Sequence, residues 1–262
     1  MGAAANRIKN LANGLKKNGN EITVICPLPN YPKGKIFEQY KNKFFYKETI
    51  EGVSVKRYWI YPSKSKNPFI RVISMMSFSF SLWFSFFNLL FKRPNIIIIQ
   101  SPPLLVALSG LVLSKLLRCK SILNVSDIWP LSAFELGVIK KGFFYKFLEK
   151  IEKLNYKFAH KIVGQSEETV SHINKIVDKK FLVYRNTPKY LEYESKKEKT
   201  SNIKIVYAGL LGYAQGVLNI CKSIDLQKKL ILFISNPDNK LIAYQRLLYN
   251  WYLSFILLYI GK

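Results

Sequence analysis

Ser121-Ile122-Leu123-Asn124-Val125-Ser126-Asp127-Ile128-Trp129-Pro130 is a short β-prone run that ends in a carboxylate and then a proline. Such a run reads as a strand delivering an acidic side chain to the edge of a sheet, where open α/β folds build their sites. Pro130 fixes its own φ and holds Trp129 extended, so the turn behind Asp127 is stiff. Asp127 is the first candidate for a working residue. The same spacing suits a carboxylate that caps a following helix, and both readings stand at this point.

Upstream, Asn95-Ile96-Ile97-Ile98-Ile99-Gln100 is a second strand-like run. Ser101-Pro102-Pro103 is expected to open a helix with prolines in its first turn, and Leu104 to Leu117 supplies the apolar body. Downstream, Gly142 to His160 reads as an amphipathic helix with Phe143, Phe147, Leu148, Ile151, Leu154 and Phe158 along one side. Lys161 to Gln165 is a strand, Ser166-Glu167-Glu168-Thr169 carries the hydroxyl and early carboxylates of a helix start, and Phe181 to Tyr184 is a further strand. Strands alternating with helices predict an α/β fold with a parallel sheet.

The first ninety residues fit that scheme. Ile8, Leu11, Ala12 and Leu15 recur at helical spacing until Asn18-Gly19, Glu21 to Cys26 is β-prone, and Pro27 to Gly34 is a proline-rich loop. Val53 to Trp59 alternates as a strand, with Val53 and Val55 on one face and Lys56 on the other. Phe69 to Phe91 is apolar enough to span a bilayer, but its frequent serines and the closing Lys92-Arg93-Pro94 favour a helix that covers a sheet or skims a membrane.

Residues 1 to 188 therefore form one domain, 189 to 201 a polar linker, and 202 to 262 the beginning of a second domain. In the latter, Ile203 to Ala208 is a strand that runs into Gly209-Leu210-Leu211-Gly212-Tyr213-Ala214-Gln215-Gly216, whose backbone N–H groups suit phosphate oxygens. Leu230 to Ser235 is another strand.

The 262 residues carry 41 Lys and Arg against 16 Asp and Glu, a formal charge of +25, which favours anionic partners. The charges are dispersed in pairs without a long basic tract, and no nucleic-acid-binding module is visible. Cys26, Cys119 and Cys221 match no metal or redox spacing, and His160 and His172 lack the partners of a metal site. A reduced compartment and structural histidines are expected. Gly2 to Asn20 has no apolar core of a signal peptide.

Gly2-Ala3-Ala4-Ala5-Asn6-Arg7, Pro29-Asn30-Tyr31-Pro32-Lys33-Gly34, Ser101-Pro102-Pro103, Asp127-Ile128-Trp129-Pro130, Gly164-Gln165-Ser166-Glu167-Glu168, and Gly209 with Gly212, Gln215 and Gly216 occur in an order and spacing that resembles the family-4 retaining glycosyltransferases of the GT-B fold. The resemblance is strongest to the bacterial branch of L-fucosaminyltransferases of surface-polysaccharide assembly, and it covers nearly all of residues 2 to 235. It implies two Rossmann-like domains and transfer of N-acetyl-L-fucosamine or a related amino sugar from a UDP-sugar to a polyprenyl-linked saccharide. Neither a cofactor nor a metal is implied. The dispersed positive charge and the Phe69 to Phe91 segment suit a cytoplasmic enzyme docked on the inner face of an anionic bacterial membrane. The alternative is a non-enzymatic basic protein of the membrane surface.

On the same resemblance, Gly2 lies in the loop that approaches the donor diphosphate, Arg7 orients the diphosphate or the acceptor, and Asp127 is the acceptor-facing catalytic or positioning group. Gly209 and Gly212 form the second phosphate turn. Gln215 stands where many relatives carry a phosphate-binding lysine. Asn30, Glu167, Arg185 and Asn186 complete the implied substrate-binding set. The family also has a strand before the glycine loop and a glutamate pair beyond the second phosphate turn. Only Met1 precedes Gly2 here, and residues 236 to 262 hold no glutamate. The expectation is a chain truncated at both ends with little or no transferase activity.

Overall fold

The computed structural model describes residues 3–31, 33–63, 65, 68–185, 203–208, 230–236 and 240–245. The chain divides into two units, Met1–Pro188 and Lys189–Lys262.

In the first unit the isoleucine-rich and Asp127-preceding runs form β4 (Ile96–Ser101) and β5 (Lys120–Val125), which lie parallel with Ile99 beside Leu123 and Ser101 beside Val125. β6 (Lys161–Gly164) and β7 (Phe181–Val183) extend the sheet, giving the parallel order β4-β5-β6-β7. This is a mixed α/β unit with a parallel sheet and covering helices, compatible with a Rossmann-like arrangement. Parallel strands are covered on both faces, so the central strand is apolar. Leu123 and Val125 are buried, and fully burying a side chain such as Leu123 contributes about 2 kcal/mol.

The covering helices are α4 (Leu104–Leu116), α6 (Phe143–Phe158) and α7 (Glu167–Asn174). α4 lies close to β4 because Gly110 has no side chain: a Cβ there would stand 3.2 Å from Ile99 Cγ1. Pro103 is the extended N-cap of α4 rather than part of its first turn, which corrects the expectation for Ser101-Pro102-Pro103. The Ser101-Pro102 and Pro102-Pro103 bonds are both cis.

The buried face of α6 also differs from expectation. Tyr145, Leu148, Ile151, Glu152, Asn155 and Tyr156 point inward, whereas Phe143 and Phe147 are exposed. Two polar residues, Glu152 and Asn155, sit inside the inward stripe and made the neighbouring aromatic stripe look like the core face. The short helix α5 (Leu131–Glu135), not anticipated, follows Pro130 and packs Ala133 against Leu104 and Leu148.

The remainder of this unit begins with α1 (Ala3–Lys17) and β1 (Thr23–Pro27). β2 (Phe45–Ile50) and β3 (Val53–Tyr58) form a hairpin whose turn residues Glu51 and Gly52 both have positive φ, as a two-residue hairpin loop requires. Charged Lys47 and Glu48 hid β2 in the sequence. β1 pairs parallel with β3, giving a three-stranded sheet in the order β1-β3-β2. Among the described residues, β1 and β4 each carry one unpaired edge.

The Phe69 to Phe91 segment is two helices, α2 (Pro68–Leu82) and α3 (Ser85–Phe91), separated at Trp83-Phe84. One side of α2 packs Phe78 and Leu82 against Tyr58 and Leu113. Its serines attach it to the protein: Ser79 Oγ donates to Leu105 O over 3.1 Å, and Ser74 Oγ to Tyr61 O over 2.7 Å. The opposite side leaves Phe69, Ile73, Met76, Phe80, Phe84 and Phe87 exposed. By length and composition Val72–Phe91 could cross a membrane, and only 22% of it is buried. The covering role is therefore filled by one face alone.

In the second unit β8 (Ile203–Ala208) pairs parallel with β9 (Leu230–Asn236), and β10 (Lys240–Gln245) runs antiparallel to β9.

Candidate functional site

In a parallel sheet the carboxyl ends of the strands share one edge, and the residues that follow them converge there. Register places Ser101, Val125, Gly164 and Val183 side by side at that edge. Ser126-Asp127, Gln165-Ser166-Glu167 and Tyr184-Arg185 therefore emerge together.

Gln100 is the centre of a hydrogen-bond network at this edge. Its Oε1 accepts from Arg7 Nη2 at 2.8 Å and from Asn124 Nδ2 at 3.0 Å. Its Nε2 donates to Ser101 O at 2.9 Å and to Ser126 Oγ at 2.8 Å. Two acceptances and two donations use the amide fully and set its orientation. The network pins α1 to the end of β4 through Arg7, and β4 to β5 through Ser126, whose hydroxyl also donates to Ser101 O at 3.1 Å.

Arg7 is buried, and desolvation lowers its pKa from the usual arginine value, partly opposed by Tyr184. Its Nε has no acceptor among the described residues, and neither has Gln165 Nε2 beyond the end of β6. Both are donors that a ligand oxygen at this edge could satisfy, since buried donors are normally paired.

Asp127 is exposed at the mouth of this edge, and its Oδ2 accepts from Ser132 Oγ at 3.1 Å. The helix-capping reading is corrected here: the N-cap of α5 is Pro130, and no side chain caps it. The carboxylate keeps one oxygen clear of that bond, so it can accept from a hydroxyl brought to the edge.

Glu167 and Arg185 face each other across the ends of β6 and β7, with Oε1 and Nη2 3.6 Å apart, both exposed. Ser166 caps α7, accepting from Thr169 N at 3.2 Å. Ser166 together with the backbone at Glu168 lowers the pKa of Glu168, with Arg185 adding to the effect. Asn30 is engaged within its own loop, donating from Nδ2 to Leu28 O at 2.9 Å. Nothing in its bonding joins it to the strand-end network. Gly2, Asn186, Gly209, Gly212 and Gln215 lie outside the described residues.

On the inward side of α6 lies a buried acid, Glu152, that its local sequence does not single out. Glu152 accepts from Tyr156 at 2.7 Å, and His172 Nε2 approaches to 3.4 Å without hydrogen-bonding geometry. Desolvation pushes the Glu152 carboxyl up to about 7, and burial together with Glu152 raises the Tyr156 phenol, to which Asp127 also contributes. The available signal was a carboxylate on the apolar side of an amphipathic helix. Gln100 gave less: as the last residue of an isoleucine run it looked like a strand end.

Chemically, the edge combines a buried, fixed guanidinium, an exposed carboxylate, two hydroxyls and an exposed acid and base pair. Among the described residues no three His, Cys, Asp or Glu side chains converge as a metal-holding group. Neither a scan against protein-family models nor a search of curated proteins returns a match.

Proposed function

We propose that this chain is a glycosyltransferase of the GT-B type, or a piece of one, that transfers an amino sugar of the N-acetyl-L-fucosamine kind from a UDP-sugar to a lipid-linked saccharide. The observation that carries the reading is the presence, at one sheet edge, of the immobilised Arg7 and of the exposed Asp127 carboxylate, which Ser132 holds by one oxygen. Retaining transfer requires positive charge and donors at the leaving diphosphate, and an acceptor hydroxyl held against the same face of the sugar. Arg7 supplies the first and Asp127 orients the second. Glu167 and Arg185 bind donor groups at the neighbouring strand ends.

The non-enzymatic reading, a basic protein of the membrane surface, draws support from the exposed side of α2 and α3. Ligand response separates the two. With UDP at about a hundred times its Kd, a protein that binds only when folded gains about 2.7 kcal/mol, a rise of several degrees in Tm. The expected result is that rise with UDP or UDP-N-acetyl-L-fucosamine, not with inorganic phosphate alone, and its loss in Arg7→Gln. Tight, steeply salt-dependent DNA binding with no UDP response would overturn the transferase reading.

A further inference from the structure

At the opposite edge of the parallel sheet, where β5 and β6 begin, the surface forms a cavity of about 570 Å³. Its walls bring together Lys115, Arg118, Lys120, Lys157 and Lys179, from three separate stretches of chain, and contain no carboxylate. None of the ion pairs among the described residues involves any of the five. We propose that this cavity is a binding site for a compact, polyvalent phosphate oxyanion, distinct from the strand-end site at the other edge.

Basic residues commonly gather at helix C-termini, and two helices, α4 and α6, end here. Each helix end carries only about half a negative charge. Two ends supply roughly one unit against five cations, so the greater part of the positive charge is left without a counter-charge from the protein. Lys179 accounts for the α6 end by itself, donating to Tyr156 O at 3.0 Å and Lys157 O at 2.9 Å, and also to Ala159 O. The other cations then face a helix end that is already satisfied. Lys115 lies 3.6 Å over the Phe158 ring, and its charge, second to burial, depresses the Lys179 ammonium. Like charges held together this way cost stability, and a bound polyanion removes the cost.

Local geometry fits the same ligand. Arg118 takes the left-handed conformation, φ 51°, as the capping residue past the end of α4: Arg118 N donates to Lys115 O and Cys119 N to Ser114 O, each at 3.0 Å, so these α4 carbonyls too are satisfied without the basic side chains. His160 Nδ1 lies 3.2 Å from Ser121 N and accepts from it, so in the neutral ring Nε2 is the protonated nitrogen and a donor. The site thus offers ammonium, guanidinium and imidazole donors in a concavity. Phosphate of this kind is found on a free metabolite or on a phospholipid headgroup.

The test is isothermal titration of the full chain with inorganic pyrophosphate at fixed ionic strength, beside co-sedimentation with vesicles containing phosphatidic acid, whose headgroup is a phosphate monoester. Saturable pyrophosphate binding is expected, weakened at least about tenfold in Lys115→Gln/Arg118→Gln/Lys157→Gln, the effect of losing roughly 1.4 kcal/mol or more from several charge-assisted contacts. The charge-matched triple Lys146→Gln/Lys150→Gln/Lys153→Gln, on exposed positions of α6, changes affinity less than about twofold on the scale of solvated surface charges. Lys157→Gln alone, at an exposed position, gives a partial loss and guards against misfolding of the triple. If only vesicle binding depends on the cavity residues, the phosphate is a lipid headgroup. Equal weakening by both triples, binding untouched by the cavity triple in both arms, or the absence of saturable binding in both arms overturns the proposal.

Discussion

Tyr156 donates its phenolic hydroxyl to Glu152 Oε1 over 2.7 Å, one turn away on α6 and on the buried side of that helix. The bond favours ionised Glu152, yet burial dominates and holds the carboxyl at about 7. His172, itself lowered by burial and by Lys175, does not offset this at neutral pH, and Glu149 adds to the rise. Because the folded-state pKa lies above the unfolded one, the folded protein binds more protons between them. The contribution of Glu152 to stability is thus complete below about 4.5 and is lost as pH rises through about 7.

Glu152→Gln mimics the protonated acid and still accepts from Tyr156. It is expected to match the parent chain near pH 4.5 and to exceed it at pH 8 by about 1–3 kcal/mol. Denaturant unfolding at the two pH values checks this. An equal difference at both would mean that Glu152 is not the titrating group.

The unpaired edges of β1 and β4 make a second prediction. Buried strand amides are ordinarily paired, and those that point away from a single partner strand depend on water. Alternate amides of Thr23–Cys26 and Ile96–Gln100 are expected to exchange hydrogen at least about a hundredfold faster than those of β5, which is paired on both sides. Residue-resolved hydrogen exchange measures the difference, and uniform protection across β1, β4 and β5 would show that these edges are covered in solution.

What could be read from the sequence divides by how far apart the cooperating residues lie. β4 and β5 were legible because runs such as Ile96–Ile99 declare a strand locally, even though Ile96 and Ile98 themselves are exposed. β2 was not, because Lys47 and Glu48 interrupt an alternation that makes sense only beside β3. At the site, Asp127 stood out through its neighbours Trp129 and Pro130, whereas Gln100 acquires its role from Arg7, ninety-three residues away. The basic cavity was hidden for the same reason. Lys115, Lys157 and Lys179 look like scattered charge until the ends of α4 and α6 bring them together.

The exposed side of α2 and α3 predicts membrane contact. Phe80 and Phe87 are each about two-thirds exposed, while the serines on the other side tie α2 to the protein. Phe80→Ser/Phe87→Ser should leave Tm nearly unchanged. Each phenyl that enters a lipid interface contributes about 1.5–3 kcal/mol, so the double substitution should cut co-sedimentation with anionic vesicles by at least about tenfold. For the parent chain, binding should weaken as salt rises. Equal binding to neutral vesicles at high salt would replace peripheral docking with insertion of Val72–Phe91.

Asp127→Asn tests the proposed chemistry. The carboxamide keeps the shape and can still accept from Ser132 Oγ, so neither the turn before α5 nor the fold should change. What is lost is the negative charge and the basicity available to an acceptor hydroxyl. Arg7, held by Gln100 rather than by Asp127, keeps its place for the donor diphosphate. In a preparation that carries the activity, kcat is expected to fall by about a hundredfold or more, within the range for loss of a positioned acid or base, while the Kd for UDP stays within about twofold. Ser132→Ala, which removes only the bond that orients the carboxylate, should lower kcat by a smaller factor. Steady-state kinetics beside UDP titration separate the two parameters. A fall in UDP affinity that matches the fall in kcat would move Asp127 to the donor side of the cleft, and an unchanged kcat would remove it from the chemistry.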